Sequence, residues 1–169
     1  MTTSLLVLGG ARSGKSRYAQ GRAEALAGNL VYIATAQAFD AEMTERIVRH
    51  RDDRGPRWTT LEEPFDLAGT IARASDSAGA VLVDCLTLWL SNLMLAQMPP
   101  EAATHALADA IARCPCPIVL VSNEVGLGIV PDNALARAFR DEAGRLNQTI
   151  AAQATEVQFI AAGLPLRLK

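Results

Sequence analysis

Cysteine is scarce and odd in number: Cys85, Cys114 and Cys116 cannot supply a disulfide framework. Two of them sit in a Cys-Pro-Cys-Pro run with no second ligand pair, so all three read as reduced structural thiols. An excess of one charge is also missing. Sixteen Lys and Arg against eighteen Asp and Glu leave a formal net charge of -2. That balance offers no basic footprint for nucleic acid and no polybasic block for an anionic membrane surface. The amino terminus enters its first apolar run by residue 5 without a charged leader, a long apolar core or a small-residue cleavage site. No export signal is visible, and a cytoplasmic location is expected. The most apolar stretch, Ala80 to Met98, is interrupted by Asp84, Thr87, Ser91 and Asn92. It divides into a buried strand and a buried helix rather than a membrane span. What remains is one domain over residues 1–169 whose partner is a small molecule.

The most informative stretch that is present runs Leu5-Leu6-Val7-Leu8-Gly9-Gly10-Ala11-Arg12-Ser13-Gly14-Lys15-Ser16. It reads as strand, loop and helix, and Gly9, Gly14, Lys15 and Ser16 satisfy G-x-x-x-x-G-K-[ST]. Glycines there let backbone N–H groups converge on phosphate oxygens at a helix N-terminus, where unpaired donors and the helix dipole favour an anion. Lys15 is placed to reach the β and γ phosphates, and the Ser16 hydroxyl to ligate magnesium carried in by a nucleotide.

Strands and helices alternate along the rest of the chain. Leu30 to Ala34 is a second buried strand, and Thr35-Ala36-Gln37 just beyond it are expected at the ligand crevice of a parallel sheet. Asp40 caps an expected helix through Met43, Ile47 and Val48, which ends near Gly55-Pro56. Its last turns carry Arg46, Arg49, His50, Arg51 and Arg54. Two readings are open: a solvated basic face partnered by Asp52 and Asp53, or arginines that gather phosphate charge around a nucleophilic His50. Ala80 to Asp84 is a buried strand ending in a carboxylate, as a Walker-B strand does, so Asp84 is the second candidate magnesium ligand.

Leu86 to Met98 is a helix apolar on nearly every side, either deeply buried or a subunit interface. Glu101 to Arg113 is an amphipathic helix with a lone His105, surface or half-buried and without a special role. Ile118 to Ser122 is a further strand, and Asn123-Glu124-Val125-Gly126 follow it into the crevice. Leu135, Phe139, Ala143, Leu146 and Ile150 define the buried stripe of a long helix that Pro131 and Asp132 start. Val157 to Ala161 and a short edge strand at Leu164 to Leu168 close the pattern. The implied fold is α/β, a P-loop NTPase-type three-layer sandwich with a mainly parallel sheet flanked by helices. These features imply a magnesium-dependent enzyme that transfers phosphoryl or nucleotidyl groups. A regulatory GTPase is disfavoured because Asn123-Glu124-Val125-Gly126 stands where Asn-Lys-x-Asp would be sought. A simple metabolite kinase without a covalent histidine stays open.

The ordered motifs resemble the bifunctional adenosylcobinamide kinase/adenosylcobinamide-phosphate guanylyltransferase family of cobalamin biosynthesis. The resemblance covers essentially the whole chain. It rests on Gly9 to Ser16, Tyr32 to Thr35, Arg46-Ile47 with His50, Trp58 to Pro64, Asn123 to Gly126 with Gly128 to Pro131, Phe139-Arg140-Asp141, and Gly144 with Asn147-Gln148. It implies phosphorylation of adenosylcobinamide by ATP or GTP, then transfer of GMP from GTP to adenosylcobinamide phosphate through a guanylylated His50. Carried over with it as nucleotide contacts are Gly9, Gly10, Ala11, Arg12, Ser13, Gly14, Lys15 and Ser16. Ala34, Thr35, Ala36, Arg51, Asp52, Asp53, Arg54, Glu62 and Asp84 complete the set, with Glu62 directed to either guanine or ribose. Magnesium on Ser16 and Asp84, a corrinoid acceptor and a homotrimer are also implied. Some relatives carry Glu in place of Asp84, and this chain is shorter than the family near Pro99 to Arg113.

Overall fold

Runs of five or six branched apolar residues are too short for stable helices and suit strands covered on both faces. In the computed structural model, which describes residues 3–37 and 55–169, they do form such strands. The expected helix from Asp40 through Val48, with Arg46, Arg49, His50, Arg51, Asp52, Asp53 and Arg54, lies outside the described residues. In chain order the described elements are β1 (Ser4–Gly9), α1 (Lys15–Glu24), β2 (Leu30–Ala34), β3 (Trp58–Glu62), α2 (Leu67–Ser75) and β4 (Ala80–Asp84). They continue with α3 (Leu86–Leu95), α4 (Pro100–Arg113), β5 (Ile118–Asn123), α5 (Ala134–Gln153), β6 (Glu156–Ala161) and β7 (Leu164–Arg167). The sheet order is β3-β2-β4-β5-β1-β6-β7. Every pairing is parallel except β6 with β7.

Alternation along β1 divides the core into two layers. Leu5 and Val7 face α1, whose Ala19 and Ala23 let the helix approach Leu82, Val119 and Val121 closely. Leu6 and Leu8 face the other side, where residues of α2, α3, α4 and α5 bury Val81, Val83 and Leu120. That is the expected three-layer sandwich, and among the described residues no helix is long and apolar enough to cross a membrane.

The domain itself covers the apolar helix α3: Leu86, Trp89, Leu90 and Leu93 are all within 1% of full burial, leaving Leu88 and Leu95 outward. The helix stops at Leu95, before Met98, for a backbone reason. Gln97 takes φ 56°, and the N–H groups of Gln97 and Met98 return to the Met94 and Leu93 carbonyls at 3.1 and 2.9 Å. That is the double hydrogen bond of a Schellman stop. Helix α5 starts from Asn133 rather than Pro131-Asp132, with the Asn133 side chain accepting the Ala136 N–H at 2.7 Å. Its expected stripe is buried only in its later turns. Ala143, Leu146 and Ile150 lie in the core while Leu135 is 57% exposed. Twenty helical residues rise about 30 Å against about 20 Å for a six-residue strand, so the first turns overhang the sheet.

Arg22 of α1 pins the helix to β6 through a forked pair, Nη1 to Glu156 Oε1 at 2.8 Å and Nη2 to Oε2 at 2.7 Å. The guanidinium hydrogen bond holds the Glu156 carboxyl at about 2, below its usual 4.5. Because the folded value is the depressed one, this contribution is complete above about pH 4.5 and fades as pH falls towards 2. The pair is partly solvated, so its worth is at most about 1 kcal/mol. Urea midpoints are expected to fall across that window, and Glu156→Gln to flatten the fall. An equal slope in both proteins would remove the pair from the acid response.

Candidate nucleotide-binding site

At the carboxyl end of β1 the chain has no room for a side chain. A Cβ on Gly9 would stand 2.6 Å from Ser13 Oγ and 2.7 Å from the Ile160 carbonyl oxygen. The loop thus closes tightly over the end of its own strand, with the Ser13 N–H on the Gly10 carbonyl at 3.3 Å. Gly14, at φ 93°, turns the chain into α1. The loop is backed from outside: Gly163 donates its N–H to the Ser13 carbonyl at 2.8 Å. Gly163 and Ala162 form the two-residue turn between β6 and β7, at φ 80° and 52°, the left-handed pair of a type I′ hairpin.

Lys15 is 9% exposed, and its Nζ folds back to donate to the Gly10 carbonyl at 3.0 Å. Ser13 Oγ is buried in the same loop with no hydrogen-bond partner among the described residues. An ammonium held by one carbonyl and an unspent hydroxyl, beside a helix N-terminus, fit an anion.

The register sets the other expected residues along the same edge. Ala34 stands opposite Asp84 on one side and Glu62 on the other, while Gly9 pairs with Asn123. Asp84 is two strands from β1 and Glu62 four, about 10 and 19 Å at sheet spacing. Glu62 is therefore remote from the loop. Ser16 and Asp84 offer one hydroxyl and one carboxylate, both hard oxygen donors. Among the described residues no group of three or more His, Cys, Asp or Glu could cage a metal. That donor set fits a magnesium ion that arrives on phosphate oxygens and keeps most of its ligands from elsewhere.

Thr35, expected at the ligand crevice, has its side chain engaged within the protein. It is fully buried, and its hydroxyl donates to the Cys85 carbonyl at 2.7 Å and accepts the Cys85 N–H at 2.9 Å. Ala36 beside it is half-buried. Asn92 of α3 donates to the Thr35 carbonyl at 2.8 Å and to the Pro64 carbonyl at 3.2 Å. Thr87 accepts from the Asn123 N–H at 2.8 Å and from its amide at 3.0 Å. Ser122 donates to Asn147 at 2.7 Å, and Asn147 to the Asn123 carbonyl at 3.2 Å. Through these contacts α3 and α5 hold the ends of β2, β3 and β5 in place. Motif reading missed these positioning roles. Their signal is a polar residue on an otherwise apolar element, as Thr87 and Asn92 are within Ala80 to Met98.

The cysteines are buried and carry no disulfide. Burial, then the nearby Asp84 charge, pushes the Cys85 thiol up. Cys116, buried beside Cys114, is pushed up to about 12. Both stay protonated at neutral pH, which suits structural thiols. His105 is exposed in a groove of about 900 Å³ whose lining includes Met98, Glu142 and Arg145. No residue of the phosphate loop lines it.

Fold and loop together define a P-loop nucleotide-binding α/β domain. In three dimensions the chain is similar to the P4 protein of bacteriophage phi6 in complex with ADP, with a TM-score of 0.51. The match has 17% identity and covers 98% of this chain and 54% of that one, and it speaks for the fold alone. The family described as cobinamide kinase / cobinamide phosphate guanyltransferase matches residues 5–168. The bifunctional adenosylcobalamin biosynthesis protein CobP of Pseudomonas aeruginosa is 49% identical over 166 residues, 97% of this chain and 96% of the relative. The corresponding CobU proteins of Salmonella typhimurium and Escherichia coli are 44% and 41% identical, each over 98% of this chain and 99% of the relative. The chain belongs to the cobinamide kinase / cobinamide phosphate guanyltransferase family.

Proposed function

We propose that this chain carries out both reactions for which its family is named, on one nucleotide site at the carboxyl edge of the sheet. The observation that carries the reading is the walled loop of Gly9 to Ser16 beside the Asp84 strand, within a chain that matches the family over residues 5–168. In the first reaction the hydroxyl of adenosylcobinamide takes the γ-phosphoryl group of ATP or GTP. Lys15 and the loop amides meet the charge that develops on the transferred oxygens. In the second, the His50 imidazole attacks the α-phosphorus of GTP and pyrophosphate leaves. Adenosylcobinamide phosphate then takes the GMP from His50, giving adenosylcobinamide-GDP. Two steps through a neutral nucleophile replace one encounter of two anions.

A magnesium ion would be held by Ser16 and Asp84 and would neutralise charge across the phosphate oxygens. Arg51 and Arg54 suit phosphate oxygens as forked donors. The distance of Glu62 from β1 favours the base or ribose end of the nucleotide over its phosphates.

The test is to incubate the protein with magnesium and GTP labelled at the α- or the γ-phosphate. Acid-labile, alkali-stable protein label is expected from α-labelled GTP only. Bound GTP with no α label would leave a P-loop metabolite kinase as the better account.

The same reading makes the enzyme a cytoplasmic homotrimer. Leu164, Leu166 and Leu168 at the β7 edge and Leu127, Ile129 and Val130 after β5 are each at least 57% exposed. They offer apolar surface beyond what scattered surface residues need. Sedimentation equilibrium is expected at three times the 18.0 kDa chain mass; a monomer at micromolar concentration would refute the assembly.

A further inference from the structure

The two reactions differ in what the acceptor must lose. An alcohol carries a proton that has to leave as its oxygen bonds to phosphorus. An imidazole nitrogen and a phosphate monoester dianion attack through free lone pairs. A base is therefore needed for phosphoryl transfer and not for GMP transfer, and a group that serves only one reaction should stand near the γ-phosphate position.

Four carboxylates stand at or just past the carboxyl ends of the central strands and β3. Glu62 is four strands from β1. Glu63 is spent within its own turn, accepting the N–H groups of Phe65 and Asp66 at 2.8 and 2.7 Å and the Thr70 hydroxyl at 3.1 Å. Asp84 suits the metal. The fourth is Glu124, the first residue beyond β5, and β5 lies between the loop strand β1 and the Asp84 strand β4. Whatever reaches from Lys15 to Asp84 crosses the mouth of β5.

Two hydrogen bonds fix Glu124 there, and a third steadies its partner. Its N–H donates to the Gly9 carbonyl at 3.0 Å, tying it to the first residue of the phosphate loop. Its Oε1 accepts the Gly126 N–H at 2.6 Å. A Cβ on residue 126 would lie 2.8 Å from that oxygen, so glycine makes the room the carboxylate occupies. Arg140 of α5 in turn donates to the Gly126 carbonyl at 2.5 Å. The second carboxylate oxygen, Oε2, has no protein partner among the described residues.

We propose that Glu124 is the general base of phosphoryl transfer, held by Gly9 and Gly126, the latter steadied by Arg140, with Oε2 open to the acceptor hydroxyl. The hydroxyl proton passes to Oε2 as the acceptor oxygen bonds to the γ-phosphorus. The bond from that phosphorus to the β-phosphate oxygen breaks, and the nucleoside diphosphate leaves with that electron pair. Glu124 returns its proton to solvent after product release. This role rests on the cobinamide kinase reaction proposed above and deepens it.

Glu124→Gln is the discriminating variant, because its amide oxygen can still accept the Gly126 N–H while the basic charge is lost. Phosphoryl transfer to adenosylcobinamide and GMP transfer to preformed adenosylcobinamide phosphate are measured side by side in the full chain. The ratio of the first rate to the second is expected to fall at least about 100-fold. An unchanged ratio, whether both rates persist or both fall together, would make Glu124 a support of the loop and overturn the proposal. A wild-type protein that transfers GMP but no phosphoryl group would instead overturn the kinase reading itself, and this role with it.

Discussion

His50→Ala protein is expected to take up no label from α-labelled GTP and to make no adenosylcobinamide-GDP, a loss on the order of 10³-fold or more. Phosphoryl transfer to adenosylcobinamide should persist, because that step moves the γ-phosphoryl group directly between two oxygens. The sequence places Arg46, Arg49, Arg51 and Arg54 around His50. On the proposed route the ring attacks through a free lone pair. Neighbouring arginines that bind phosphate oxygens would also draw the α-phosphorus towards that ring. Rates of both reactions, with protein label counted in parallel, decide the matter. A variant that still forms adenosylcobinamide-GDP at more than about a tenth of the wild-type rate would refute the covalent route.

Lys15→Ala should have the broadest effect, lowering both reactions together. The ammonium is 9% exposed and held at 3.0 Å from the Gly10 carbonyl. It is therefore already desolvated and positioned before a nucleotide arrives. Removing one such pre-placed donor from developing oxyanion charge costs roughly 10²- to 10³-fold in kcat, or about 3 to 4 kcal/mol. Nucleotide affinity should fall as well, since the same group meets the ground-state phosphates. Steady-state kinetics of each reaction with nucleotide varied give both parameters. A loss under tenfold in either reaction would mean that the two steps do not share this loop.

These two variants with Glu124→Gln form a set with distinct signatures. Lys15 should remove both activities, His50 only GMP transfer, and Glu124 mainly phosphoryl transfer. One nucleotide site with two chemistries is the arrangement that yields that pattern.

Sequence alone determined the features that depend on local spacing and covalent order. The phosphate loop was legible because strand, glycines, lysine and helix occur consecutively, so their geometry is set by backbone conformation within a dozen residues. The parallel strands were legible because burial on both faces demands short, wholly apolar runs, and Asp84 because it ends one of them. The two-sidedness of α3 was visible as an apolar pattern, but what covers it was not. Only the folded domain places Leu86, Trp89, Leu90 and Leu93 inside. The Asn133 cap turns on one hydrogen bond and the Schellman stop after Leu95 on two, which neighbouring sequence leaves open.

Tertiary structure decided the contacts between residues far apart in the chain. Gly163 supports Ser13 from 150 positions away, Asn92 ties Thr35 to Pro64, and Arg140 steadies the turn that aims Glu124. Thr35 follows a strand end where the sequence leads one to expect the crevice, yet pairing between β2 and β4 turns its hydroxyl onto the Cys85 backbone. The insertion of β5 between β1 and β4 likewise sets Glu124 beside Gly9. Strand order depends on how the whole sheet closes its core, and the short-range preferences that shape a single loop or strand carry no information about it.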